Sequence, residues 1–267
     1  MPALRVCGSG IDLAFIHCAK YAKKAKDAKK KNIKSIFLAA LALLASLART
    51  GKREERSPMP SLRIAMLVSG SGTTLQNLID LVSAGQLDLQ IKLVIGSRAG
   101  LKGLDRASAG KIMNFVVDRS AFENCADFSK QVFSLCDDAD VDLICMGGWL
   151  CLLEVPSRWI GRIINIHPSL LPSFGGKGMF GRKVHQAVLD HGCKISGCTV
   201  HFVDNTYDTG PIILQRACPV LEADTAQTLA ARVFEEEKIA YPTTLRLFQE
   251  GRLKIEGRRV RVADSKK

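Results

Sequence analysis

The sequence predicts an α/β domain with a mostly parallel central sheet, helices on both faces and an antiparallel hairpin at one edge. Three features carry this expectation. Short apolar runs alternate with amphipathic segments from Leu62 to Met146, the order that right-handed crossovers turn into a parallel sheet. The first run breaks into glycines directly before a helix. Later, two alternating runs, Ser196–Val203 and Gly210–Arg216, flank a turn-rich segment and read as a hairpin.

The 267 residues suffice for one or two domains with a substantial core, and 47% hydrophobic against 24% charged is the balance of a soluble globular chain. Nine cysteines stand at 7, 18, 125, 136, 145, 151, 193, 198 and 218. They form no C-x-x-C pair, their number is odd and several sit in apolar runs. That pattern fits reduced thiols in the cytoplasm, not a disulfide framework or a zinc site. The formal charge of +12 is concentrated in residues 1–58, which hold thirteen Lys/Arg against four acids. The remainder therefore makes no electrostatic case for nucleic acid. Within that first segment, Tyr21–Lys34 is a solvated Lys/Ala run, and Ser35–Ala48 is apolar but too short to span a bilayer comfortably. Residues 1–58 are expected to be a dispensable extension or sequence upstream of a true start at Met59, with 59–267 as the catalytic domain.

Leu62–Val68 is a short apolar run, the pattern of a strand buried on both faces. It breaks into Ser69-Gly70-Ser71-Gly72-Thr73-Thr74, after which Leu75, Leu78, Ile79 and Val82 keep helical spacing. Glycines here admit a ligand close to the backbone, and the helix start adds unpaired N–H groups and the positive end of a dipole. The pattern suits a single phosphate group. A dinucleotide fingerprint would need glycine where Leu75 stands, and a Walker loop would need Gly-Lys-Ser/Thr. Ile91–Gly96 reads as the second strand, Leu104–Ala109 as a short helix and Ile112–Val117 as the third strand. Phe122–Cys136 is an amphipathic helix, and Val141–Met146 is a fourth strand ending at Gly147-Gly148-Trp149.

Arg162-Ile163-Ile164 reads as the end of the next strand. Asn165-Ile166-His167-Pro168-Ser169-Leu170-Leu171-Pro172 is then expected to leave the sheet as a stiff extended loop, because both prolines bar helix and central strand. Residues two apart in extended chain share a side, so Asn165 and His167 are presented together where open α/β sheets bind ligands. Alone, N-x-H is a weak motif; the glycine turn at the same sheet edge strengthens it. Ser173–Gly181 is glycine-rich and long enough for a mobile cover, and Val184–His191 reads as a helix. Asp208 lies in the hairpin's connecting loop, where an Asp in D-x-G is most often a turn former. Thr225 caps a long helix to about Phe248, with Leu229, Val233, Ile239 and Leu245 inward, and Leu253–Val262 reads as a small closing hairpin. His185, His191 and His201 lack ligand spacing, so no metal is expected.

The set S-G-S-G-T-T-L-Q, N-I-H-P-S-L-L-P and T-V-H-F-V with the downstream D-x-G-P-I-I-L-Q closely resembles the phosphoribosylglycinamide formyltransferases, a branch of the folate-dependent formyltransferases. The resemblance runs from about Leu62 to Val262. It implies a formyltransferase Rossmann-like fold, 10-formyltetrahydrofolate as cosubstrate and 5-phosphoribosylglycinamide as the acceptor in purine biosynthesis. It also implies that Gly72, Thr73 and Thr74 hold the ribotide phosphate and Glu237 its ribose. By the same resemblance, Leu150, Cys151, Leu152 and Leu153 line the folate pocket with Asn165, and Asn165, His167 and Asp208 are catalytic. Cys151 and Cys125 depart from the family, which commonly carries arginines there, so Lys177 or a backbone amide is expected to meet the folate carboxylates. The loop before N-x-H also aligns about two residues shorter.

Formyl transfer passes through a tetrahedral oxyanion, which calls for donors aimed at that oxygen and a route for the amine proton. Asn165 is expected to be a neutral donor. His167 is expected to be a charged one, its pKa raised by Asp208. The expected partners are small molecules, with no nucleic acid and no membrane for the catalytic domain; the assembly is open between monomer and homodimer. A formyltetrahydrofolate hydrolase would share the trio but generally carries an N-terminal βαββαβ domain unlike residues 1–58. A methionyl-tRNA formyltransferase would add a basic C-terminal domain. A non-catalytic nucleotide-binding protein would need only the glycine turn, and a membrane-attached scaffold would leave the trio unexplained.

Overall fold

Strand β1 (Leu62–Val68) shows how the sheet divides its side chains. Ile64, Met66 and Val68 join one apolar cluster while Ala65 and Leu67 join another, as a strand covered on both faces requires. The computed structural model describes residues 60–264, so the expectations for residues 1–58 lie outside the described residues. The other strands are β2 (Leu89–Gly96), β3 (Asn114–Val116), β4 (Leu143–Gly147), β5 (Ile163–His167), β6 (Ile195–Phe202), β7 (Ile212–Pro219), β8 (Leu253–Glu256) and β9 (Arg259–Val262). The helices are α1 (Thr73–Ser83), α2 (Lys102–Ala109), α3 (Cys125–Asp138), α4 (Arg182–Asp190) and α5 (Ala226–Gln249).

The strands form one sheet in the order β3-β2-β1-β4-β5-β6-β7-β9-β8. β1 to β5 are parallel, β6 is antiparallel to β5, and β7 to β6. The strand order reverses between β1 and β4, so the loops after these two strands part to leave a crevice. The β6–β7 hairpin lies two strands in from the edge, because β9 pairs parallel to β7 and carries β8 outside it.

Helices cover both faces. Leu75 and Leu78 of α1, Leu104 of α2, Val188 of α4 and Leu229 and Val233 of α5 pack into the first cluster. On the other face α3 contributes Phe128, Val132, Phe133 and Cys136, packed with Trp149 and Trp159. Thr225 caps α5 through a reciprocal hydrogen-bond pair with Thr228. Ile239, expected inward, is 47% exposed; the buried stripe there passes through Ala240 and Tyr241. Tyr241 is fully buried, and its hydroxyl donates to the Met146 carbonyl at 2.9 Å. Tyr241→Phe removes that hydrogen bond beneath the site, and a loss of about 1 kcal/mol of stability is expected by chemical denaturation, without loss of fold.

Candidate active site

Asn165 and His167 do not leave the sheet: β5 continues through His167, and Pro168 ends it. Both residues pair with β6, Asn165 opposite His201 and His167 opposite Thr199. This antiparallel pairing holds the two side chains more firmly than the expected loop, still two apart and on one side of the strand. Asp208 reaches them from the β6–β7 connection with its backbone at φ 57°, a left-handed conformation that Asp tolerates better than most residues. The following Gly210 has no room for a side chain, since a Cβ there would come within 1.8 Å of the Phe202 carbonyl oxygen. The D-x-G pattern therefore combines a turn with a tight strand crossing.

The polar contacts specify how each group is held. His167 Nε2 donates to the Phe174 carbonyl at 2.8 Å, which leaves Nδ1 facing Asp208 Oδ2 at 3.4 Å. Gly176 donates its backbone N–H to Oδ2 at 2.9 Å. Asn165 Nδ2 lies 3.2 Å from His201 Nε2 and 3.5 Å from Asp208 Oδ1. His201 Nδ1 donates to the Phe202 carbonyl at 2.8 Å, which turns Nε2 toward Asn165 and toward Asp208 Oδ1 at 3.7 Å.

Burial decides the charge of the imidazole. His167 is 4% exposed, and desolvation takes its pKa below the ordinary histidine value; Asp208 and the Phe174 carbonyl pull upward but are outweighed. Asp208 does pull this pKa upward as expected, but the expected net rise is corrected: burial outweighs it and the carboxylate only moderates the fall. For Asp208, burial is the largest single influence and acts upward. His201, His167 and the Gly176 N–H together outweigh it and hold the carboxyl below its usual range. A bare Nδ1 facing a carboxylate oxygen is a site that one proton completes.

These groups open into a cavity of about 700 Å³ that also takes in Gly72, Thr73, Thr74, Glu237, Leu150 and Lys177. Gly72, at φ 67°, is the N-cap of α1 and makes no side-chain cap. The N–H groups of Thr73 and Thr74 have no acceptor among the described residues. Glu237 projects from α5, and burial pushes its carboxyl up to about 7. Cys151, Leu152 and Leu153 instead line a smaller pocket of about 50 Å³ on the far side of the trio, with Asn165, His201 and Asp208. Leu153 is 2% exposed and also belongs to the core. Cys125 lies beside this stretch, its thiol donating to the Leu152 carbonyl at 3.4 Å. Burial lifts the Cys151 thiol above its ordinary value, opposed by Ser97 and by the charge of Arg119. Ser69 ties the loop after β4 to the loop after β2: its hydroxyl accepts from Ser97 Oγ at 2.8 Å and from the Leu150 N–H at 3.1 Å.

His201, which lacks metal-ligand spacing in the sequence, proves to be a neighbour of Asn165 and Asp208. Its place in T-V-H-F on an alternating strand is the signal that it shares a face with Thr199 and meets β5. His185, 4% exposed, lines the large cavity, and burial takes it down to about 4, a neutral imidazole at physiological pH. Among the described residues, no three His, Cys, Asp or Glu side chains gather as ligands for an ion.

Comparison with known proteins matches residues 62–245 to the family model described as formyl transferase. A phosphoribosylglycinamide formyltransferase of Haemophilus influenzae is 35% identical over 72% of this chain and 90% of its own length. The trifunctional purine biosynthetic protein adenosine-3 of Gallus gallus is 38% identical, but the chain spans only 19% of that protein's length. Among solved structures, glycinamide ribonucleotide transformylase 1 of Symbiobacterium toebii superposes with a TM-score of 0.71 at 43% identity, covering 76% of this chain and 94% of that one.

Proposed function

The chain belongs to the phosphoribosylglycinamide formyltransferases of the formyl transferase family, and on that premise we propose that it moves the formyl group of 10-formyltetrahydrofolate onto the amine of 5-phosphoribosylglycinamide, a step of purine biosynthesis. The observation that carries the reading is a single cavity joining an unpaired helix start, a carboxyl group and the Asn165–His167–Asp208 cluster. The catalytic domain is taken as 59–267.

In this reading the ribotide phosphate sits on the N–H groups of Gly72, Thr73 and Thr74, and Glu237 accepts from its ribose hydroxyls. The folate lies along Leu150–Leu153 and Asn165. With cysteines at 125 and 151, its carboxylates turn to Lys177 or to backbone amides. The amine nitrogen attacks the formyl carbon, and the carbonyl electron pair moves to oxygen. Asn165 Nδ2 donates to that oxyanion. The amine proton moves onto the His167 Nδ1–Asp208 pair, where the new negative charge favours the imidazolium. Breaking the bond from carbon to the folate nitrogen returns the proton to that nitrogen and leaves the formylated amide. Metal is not assigned a part.

The partners proposed are small molecules, with no nucleic acid and no membrane for the catalytic domain, and the assembly is a monomer or homodimer. No helix among the described residues is long and apolar enough to cross a membrane. A cytoplasmic location is part of the proposal, in keeping with seven free cysteines among the described residues.

The test is an assay of the full chain with 10-formyltetrahydrofolate, with and without the ribotide. Tetrahydrofolate release that requires the ribotide supports transfer; equal release without it is hydrolysis and contradicts the proposal. The carboxyl of Glu237 gives a second expectation. Ionised, it accepts from ribose more strongly than when protonated, and burial pushes its carboxyl up to about 7. The KM for ribotide should therefore rise as pH falls through about 7 and level off once the carboxyl is protonated. Glu237→Gln should weaken binding at high pH and flatten this dependence. A KM profile that Glu237→Gln leaves unchanged removes Glu237 from the ribose site.

A further inference from the structure

We propose that Arg106 is a positioning residue for the anion-binding turn: from α2 it holds the Ser71 carbonyl so that the turn's N–H groups face the cavity. The inference rests on the reading of Gly72–Thr74 as the ribotide phosphate site. Arg106 Nε donates to the Ser71 carbonyl at 2.8 Å, and Nη1 donates to Gln76 Oε1, also at 2.8 Å. One guanidinium thus ties the turn to the first turn of α1. Arg106 is half-buried and does not line the cavity, so it acts on a ligand only through these groups.

A second contact pulls in the same direction. The Gly103 N–H, at the start of α2, donates to the Gly70 carbonyl at 3.2 Å. Gly103 and Arg106 are three apart and lie on one face of α2. This face presses so closely on the turn that a Cβ on Gly72 would lie 2.6 Å from Gly103 Cα, and a Cβ on Gly103 would lie 2.9 Å from Val68 Cγ2. In a planar trans peptide the carbonyl and the following N–H point in opposite directions. Drawing the carbonyls of Gly70 and Ser71 toward α2 therefore turns the N–H groups of Ser71 and Gly72 away from it, and both residues line the cavity. Preset donors spare a bound phosphate the cost of ordering a glycine-rich loop.

The test uses the full chain, with steady-state kinetics in both substrates and competition by inorganic phosphate. Arg106→Ala should raise the KM for ribotide and the inhibition constant for phosphate by about tenfold or more, while kcat at saturation stays within about threefold and the KM for folate is unchanged. Arg106→Lys keeps the charge but spans only one acceptor, so its values should fall between the two. Gln76→Leu, which leaves the Ser71 contact, should show the smaller loss. Unchanged ribotide and phosphate constants in Arg106→Ala overturn the proposal, and so does Arg106→Lys matching the wild type, since charge alone would then suffice. If the wild type forms no formylated ribotide, the functional reading fails on its own, and the phosphate constants still decide the role of Arg106.

Discussion

His167→Ala should lower turnover by about 10³ while leaving the KM for ribotide within a few-fold of the wild type. The imidazole is held at one nitrogen by the Phe174 carbonyl and faces Asp208 with the other at 3.4 Å, so its ring cannot turn toward the ribotide's phosphate or ribose without breaking the Phe174 contact. Its contribution therefore falls on the step in which the proton and the oxyanion appear, not on binding. A loss confined to KM would mean that His167 only helps shape the cavity. The substitution also removes a buried ring, so the variant's denaturation midpoint should be measured alongside. A stability loss without loss of turnover contradicts the catalytic role.

Asp208→Asn should lower turnover by a comparable factor, about 10²–10³, for a different reason. An amide keeps the shape and can still accept from the Gly176 N–H, provided its oxygen takes the Oδ2 place. Its nitrogen then stands where Oδ1 meets Asn165 Nδ2, donor against donor. More importantly, the negative charge opposite His167 Nδ1 is gone. Burial already takes this imidazole below its ordinary pKa and Asp208 moderates the fall, so the neutral substitute should lower it further. The proton carrier is then lost from the pair. The direct readout is the His167 ring titration followed by NMR: its midpoint should move to lower pH in Asp208→Asn. An unmoved midpoint with near-normal turnover removes Asp208 from the mechanism.

The parts of this site written in side-chain chemistry were legible in the sequence. Gly70 and Gly72 between an apolar run and a helix pattern read as an anion site, and N-x-H after a buried strand read as a displayed pair. The parts made by backbone were not. The carbonyls of Phe174 and Phe202 set the ring orientations of two histidines, and the Gly176 N–H steadies Asp208. Any residue type supplies such groups, so they leave no mark on composition or spacing. The continuation of β5 through His167 was hidden for a related reason. Pro168 forbids the ladder one residue later, but pairing with β6 is an antiparallel, long-range contact that local pattern does not reveal. The sign of the His167 shift was misread because burial, which dominates it, is a property of the packed fold. A neighbouring carboxylate is easier to infer than the depth at which both groups sit.

The central claim is that these three side chains deliver the formyl group to an amine held in the adjoining cavity, and the destination of that group tests it most directly. With 10-formyltetrahydrofolate labelled in the formyl carbon and a single turnover on the full chain, the label should appear in the amide of the ribotide, with little formate. Label recovered as formate at the same rate, whether or not the ribotide is present, would contradict the account.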